Sequence, residues 1–135
     1  MSPNAPCPCG REDRRGPRAV VRAYAECCGA YLDHDQAAPD AEALMRSRYT
    51  AFVRQRLPYL LATWHAHTRP PELTLDNHAQ WLGLSVREAV VTGDDTAEVE
   101  FVARYRLNGR AVRLHERSRF VREGTRWFYV DGDQR

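Results

Sequence analysis

Polar and apolar positions change period midway along this chain. In the second half they alternate, and four stretches carry the residue types of strands: WLGLSVREAVV (81–91), TAEVEFVARYRL (96–107), RAVRLHERSRFV (110–121) and TRWFYVDG (125–132). TGDD (92–95), Asn108-Gly109 and Glu123-Gly124 separate them, and Asn-Gly is a strong hairpin signal. In the first half the spacing is helical. After Pro39, with Asp40 as N-cap or first-turn residue, Ala41, Leu44, Met45, Arg48, Tyr49, Phe52 and Val53 recur every 3.6 residues. Pro58 interrupts this run, and 57–67 restarts it with Leu57, Leu60, Leu61, Trp64 and His65 on one stripe. The pattern predicts an α+β domain, with two helices, or one bent at Pro58, packed on one face of a curved four-stranded antiparallel sheet.

Upstream the pattern fades. Residues 1–17 are rich in proline, glycine and charge and read as coil, AVVRAYAE (19–26) as two helical turns after Pro17, and 27–39 as irregular chain that Gly29 can reverse. The expected division is a small cysteine-rich module over 1–38 and the α+β domain over 39–135.

Composition adds little. The 135 residues are 43% hydrophobic and 28% charged, with a net charge of +2, which argues neither for nor against a nucleic-acid partner. Every positive side chain is arginine, a bias without functional weight here. The start has no signal-peptide pattern and no stretch is long and apolar enough for a membrane span. The expectation is a cytoplasmic protein with no membrane contact and reduced thiols.

That expectation matters because all four cysteines fall in the first 28 residues, as Cys7-x-Cys9 and the adjacent Cys27-Cys28. A disulfide framework suits a secreted chain. A thioredoxin-like site needs C-x-x-C at a helix start. Four thiolates around a tetrahedral Zn²⁺ fit both the chemistry and the compartment, although each pair is closer than the usual two-to-four-residue spacing. Free thiols and a redox role stay open on spacing alone. His34, six residues past Cys28, is a minor alternative ligand, and His67 and His78 read as exposed.

In VRLHERSRF, Val112, Leu114, Glu116, Ser118 and Phe120 share the apolar face. A carboxylate pointing there needs a partner. Arg48, on the helix stripe between Met45 and Phe52, is the expected one, with Arg46 as the fallback. The bland reading is a structural ion pair. The sharper one makes Glu116 a general acid or base in a pocket lined by Arg48, Trp64, His65, Trp81 and Tyr105. Arg104, Arg106, Arg113, Arg117 and Arg119 read as a solvated sheet face diluted by Glu98 and Glu100.

Taken together, CPCG (7–10) with CCG (27–29) resembles the SEC-C zinc motif known from the tail of the SecA translocation ATPase. CCGAYLD, APDAEALMRSRY, YLLATWH, WLGLSV, FVARYRLNGRA, HERSRFVRE and WFYVDGD resemble the YchJ family of small bacterial proteins, over Pro6 to Asp133. The resemblance implies a SEC-C module followed by a nuclear-transport-factor-like (cystatin-like cone) domain, with Cys7, Cys9, Cys27 and Cys28 as thiolates on one structural zinc. It brings no established reaction. The segment REDRRGPRAVVRAYAE between the cysteine pairs is roughly twice the length usual in the family, and Arg11 stands where a serine is common.

The functional expectation is a non-enzymatic, cytoplasmic zinc-binding protein whose N-terminal module contacts a protein or, at lower weight, a nucleic acid. The alternative is an enzyme or small-molecule binder using the cone pocket, with Glu116, Asp131 and His65 as the catalytic candidates. A homodimer through the sheet is a further expectation from the fold class.

Overall fold

In the computed structural model, which describes residues 2–135, an N-terminal hairpin of β1 (Glu12–Arg15) and β2 (Arg18–Val21) leads through a 3₁₀ turn (Tyr24–Glu26) into α1 (Cys28–Leu32). Then follow α2 (Ala41–Val53), α3 (Leu57–Ala62), and the strands β3 (Gln80–Val91), β4 (Thr96–Leu107), β5 (Arg110–Glu123) and β6 (Arg126–Gln134). The last four form one antiparallel meander in chain order. The α+β architecture is therefore the expected one.

Local chemistry sets the boundaries. The extended Asp40 accepts a hydrogen bond from the Ala43 amide at 2.8 Å, the side-chain N-cap that starts α2. Pro58 lies in the first turn of α3, where its missing N–H leaves no carbonyl unpaired. Asn108 and Gly109 take positive φ of 52° and 79° between Leu107 and Arg110, as a twisted two-residue hairpin turn requires.

Two expectations about helices need correcting. The helical run does not reach residue 67. Arg48 Nη1 takes the Leu60 carbonyl at 2.8 Å and Thr63 Oγ1 at 2.7 Å, closing α3 early. The chain then runs extended beside β6, with Tyr129 N bonded to Thr63 O and His65 N to Tyr129 O, both at 2.8 Å. Nor is 19–26 helical. Gly16, with φ of 65°, and Pro17 make a two-residue turn that folds Arg18–Val21 back on Glu12–Arg15.

α2 lies between the module and the sheet, packed against α1 as well as β3, β4 and β6. It is consequently buried almost all round, including Ala43, Ser47, Thr50 and Ala51 off the expected stripe. Ser47 satisfies its hydroxyl on Leu44 O and Tyr59 OH, both at 2.7 Å.

On β5 the inward side chains are Leu114, Glu116, Ser118 and Phe120, and the outward ones are charged. Arg117 reaches Glu98 at 2.6 Å, Glu88 at 2.8 Å and Glu100 at 3.1 Å, while His115 meets Glu100 at 2.9 Å. Arg119 pairs with Asp131 and Asp133. Acids neutralise His115, Arg117 and Arg119 on this outer face, whereas Arg104, Arg106 and Arg113, also on it, meet no acid among the described residues. The His115 and Arg117 bonds hold Glu100 below its ordinary 4.5, and Arg119 holds Asp133 below 3.8. Carboxylates depressed in the fold contribute stability above their unfolded range and lose it as pH falls through the lowered values. Thermal midpoints are expected to drop on acidification below about pH 4, and Glu100→Gln to flatten that acid limb. An acid limb unchanged by the substitution would remove this lattice from the account of stability.

Candidate functional site

The four cysteines are brought together by the segment that looked too long. Its surplus residues form the β1–β2 hairpin, and the pairing continues past the strands: Arg22 N bonds to Arg11 O at 2.8 Å, Cys7 N to Arg22 O at 2.9 Å and Tyr24 N to Ala5 O at 2.8 Å. Pro6 bridges Ala23 in the same ladder. The turn closed by Gly10 N on Cys7 O (3.0 Å) sets Cys7 and Cys9 on one side. Opposite, Cys27 sits at the junction of the 3₁₀ turn and α1 with φ −132° and ψ −119°, a break in the helical path where its neighbour Cys28 begins α1.

All four sulfurs are buried, unbonded and within 4.8 Å of one another, with Cys9 and Cys27 at 3.6 Å. Tetrahedral Zn–S bonds of ~2.3 Å place sulfurs ~3.8 Å apart, whereas a disulfide needs ~2.05 Å. The donor set therefore fits a four-coordinate soft metal ion. His34 is not part of the group.

The thiols influence one another strongly. Hydrogen bonding from Cys27 and Cys28 lowers Cys9 to about 7, and bonding chiefly from Cys27 lowers Cys7 as well. Cys28 moves the other way, raised by Cys27, Cys7, Cys9 and burial. The cluster gives up its first protons readily and resists ionising completely, because each thiolate is stabilised by neighbouring thiols and repels the next charge.

α2 supports this cluster from below. Arg46 Nη1 donates to Cys9 O at 3.0 Å while its Nε pairs with Glu42 at 2.8 Å, so it is not a partner for Glu116. Thr50 Oγ1 lies 3.9 Å from Cys7 Sγ. Arg46 and Thr50, one helical turn apart, belong to the setting of the cysteines; Arg46 lies in the motif APDAEALMRSRY, whereas nothing in the sequence flags Thr50. Gly29 is needed for close approach rather than for chain reversal. A Cβ there would fall 2.7 Å from Tyr24 O and 2.9 Å from the Tyr24 ring.

The opposite side of α2 roofs a cavity of about 350 Å³ over the inner sheet face. Arg48, Trp64, Trp81, Tyr105 and Glu116 all line it. Trp81 packs against Tyr105 at 5.0 Å and edge-on against Tyr49 at 5.5 Å between centroids. Tyr129 and Ser118 also belong to the wall; the alternation of Trp127 and Tyr129 along β6 was the available signal for the former.

Three expected site relations fail. Arg48 and Glu116 share the cavity but form no ion pair: Arg48 is drawn to the end of α3, and Glu116 accepts from Ser118 Oγ at 2.5 Å, Gln134 Nε2 at 3.3 Å and Tyr129 OH at 3.4 Å. Burial, then the charge of Glu116, pushes the Tyr129 phenol up to about 12, so it stays a donor at neutral pH. His65 lies outside the cavity, with Nε2 2.9 Å from Glu123 Oε2, because the chain has left the helix before it. Asp131 is also outside. The β6 register slips at Val130, which sets Asp131 opposite Arg119 on the outer face. His67 and His78 are exposed, as expected.

Comparison with known proteins agrees with this layout. A family model described as "YchJ, middle NTF2-like domain" matches residues 40–132. A UPF0225 protein of Polaromonas naphthalenivorans is 61% identical, over 96% of this chain and 97% of its own. One from Xanthomonas campestris is 54% identical, over 96% and 95%. Among solved structures, the solution structure of a SEC-C motif containing protein from Rhodopseudomonas palustris superposes with a TM-score of 0.79 at 29% identity, covering 96% of this chain and 98% of that one. The crystal structure of a SEC-C motif containing protein from Psychrobacter arcticus gives 0.75 at 28% identity, covering 93% and 80%. No helix among the described residues is long and apolar enough to cross a membrane.

Proposed function

The chain belongs to the YchJ (UPF0225) family, and we propose that it is a non-enzymatic binding protein in which a structural zinc ion clamps the N-terminal module onto a small-molecule cavity. Cys7, Cys9, Cys27 and Cys28 would hold the ion; four thiolates fill the tetrahedron and leave no position for water or substrate, so the metal supplies stability. Such a site is kept in the cytoplasm, where thiols stay reduced.

The observation that carries the binding role is the cavity itself: Arg48 and Glu116, of opposite charge, line one largely apolar cavity without pairing with each other. Convergent polar groups in an aromatic pocket of this size are what small-molecule sites look like. Binding is favoured over catalysis because His65 and Asp131 lie outside, which leaves Glu116 held by the neutral donors Ser118, Tyr129 and Gln134 with no histidine beside them. An amide-resolved NMR screen of apolar fragments tests this. Ligands are expected to move the indole resonances of Trp64 and Trp81 and to leave Trp127, outside the cavity, in place. Hits scattered over the surface, or none, would count against a cavity ligand.

A second reading keeps the module as a contact surface, for which the tip of the hairpin speaks. Arg14, Arg15 and Arg18 are exposed there and meet no acid among the described residues. A short RNA at low salt is the probe. Binding lost in the Arg14→Ser/Arg15→Ser/Arg18→Ser variant supports this reading, and no binding by the unaltered protein discards it.

A further inference from the structure

Arg48 is a cation where cations are costly. It is only 6% exposed, and no carboxylate among the described residues comes within ion-pair distance. Nη1 is engaged by Leu60 O and Thr63 Oγ1, whereas the N–H groups of Nε and Nη2 have no protein acceptor among the described residues. Its guanidinium carbon lies 4.7 Å from the Tyr129 ring centroid and 5.2 Å from that of Trp64. Such contacts offset only part of the desolvation penalty of a buried ion. Burial pushes the Arg48 pKa down only to about 10, so the charge is present at neutral pH.

The surrounding wall shows which partner is missing. The carboxylate of Glu116 already accepts from three donors. The indole N–H of Trp64, a residue of the same wall, is buried and has no acceptor among the described residues. Around Arg48 and Trp64 donors are therefore in surplus, so a ligand that completes this end of the cavity brings acceptors and negative charge. Elsewhere the wall is largely aromatic, from Tyr49, Phe52, Trp81, Phe101 and Tyr105, with the exposed Asp76, which accepts from the His78 amide, as its other carboxylate.

From this we infer that the cavity binds a small organic acid, an aromatic or otherwise apolar body whose carboxylate sits on the free Nε and Nη2 edge of Arg48. That edge presents two parallel N–H donors, the fork that carboxylates match. Glu116 then sets orientation: it repels the acid end and receives any hydroxyl carried on the body. The inference rests on the proposed cavity function and narrows it to one ligand class.

Three probes with the same body separate the possibilities: 3-phenylpropionate, 3-phenylpropionamide and 3-phenylpropylamine, titrated into the full, metal-loaded chain while the tryptophan indole resonances are followed. The acid is expected to bind about tenfold or more tighter than the amide, and the amine most weakly. Glu116→Gln should tighten the acid severalfold by removing the neighbouring negative charge. Arg48→Met should make acid and amide bind alike. Should Arg48→Met fail to fold, the probe series and Glu116→Gln still decide. If the amide or the amine binds as tightly as the acid, or Glu116→Gln weakens the acid, the organic-acid assignment is wrong while the cavity still binds ligand. If none of the three binds, the assignment and the cavity function fall together.

Discussion

Cys9→Ser should unfold the N-terminal module and lower the thermal midpoint of the whole chain by about 10–20 °C. Structural zinc contributes about 10–16 kcal/mol of apparent binding free energy to small thiolate modules. Removing one of four ligands is expected to forfeit about 3–5 kcal/mol of it, which gives that shift for a chain of this size. The loss should be local at first. The β1–β2 hairpin and α1 are short elements whose buried anchors are largely the cysteines and Tyr24, while β3–β6 form an independent ladder. Hydrogen exchange should therefore accelerate in residues 5–32 before it does in the sheet, and a chelator should reproduce the pattern in the unaltered protein. An unchanged midpoint with unchanged exchange in the hairpin would mean that the cysteines are ordinary core residues.

Gly29→Ala should be the most damaging change of a single methyl group in the module. Alanine in a helix normally gains about 0.5–1 kcal/mol over glycine. Here the new Cβ meets Tyr24 O at 2.7 Å and the Tyr24 ring at 2.9 Å. Neither can retreat easily: Tyr24 is 2% exposed with the Arg54 guanidinium 4.6 Å from its ring centroid, and its carbonyl holds the Cys27 amide at 3.0 Å. Overpacking of this kind costs about 1–3 kcal/mol, which predicts a midpoint about 5–10 °C lower. Because Cys27 and Cys28 ride on the displaced segment, metal affinity should fall with it. A variant as stable as the parent, with the same metal affinity, would show that the 3₁₀ turn yields freely.

How much of this was legible in the sequence depends on what each feature competes with. The sheet was readable because one face is buried and one wet, so β4 and β5 alternate, and because Asn108-Gly109 carries its own turn geometry. The start of α2 was readable from Asp40. The β1–β2 hairpin was not, since both its faces meet solvent and EDRRGPRAVV shows no clear alternation; only the Gly16-Pro17 pair marked the turn. The second buried face of α2 was hidden because Ala43, Ser47 and Thr50 are small or polar, and nothing in the helix itself says that a cysteine-rich module covers them. Partner choice was the least legible level. Arg48 and Glu116 were both correctly turned toward the interior, but the Leu60 carbonyl captured the first and neutral donors satisfied the second. Asp131 was misplaced by a single unpaired residue, Val130, because one inserted residue exchanges the two faces of a strand. His65 was misplaced because α3 ends at Ala62.

We propose that the four cysteines hold one zinc ion that fixes the module to α2. The most direct measurement is elemental analysis combined with thiol titration, on protein prepared without chelator. One zinc per chain is expected, with four thiols that become reactive only after chelation or unfolding. Four freely reactive thiols with no bound metal would contradict it.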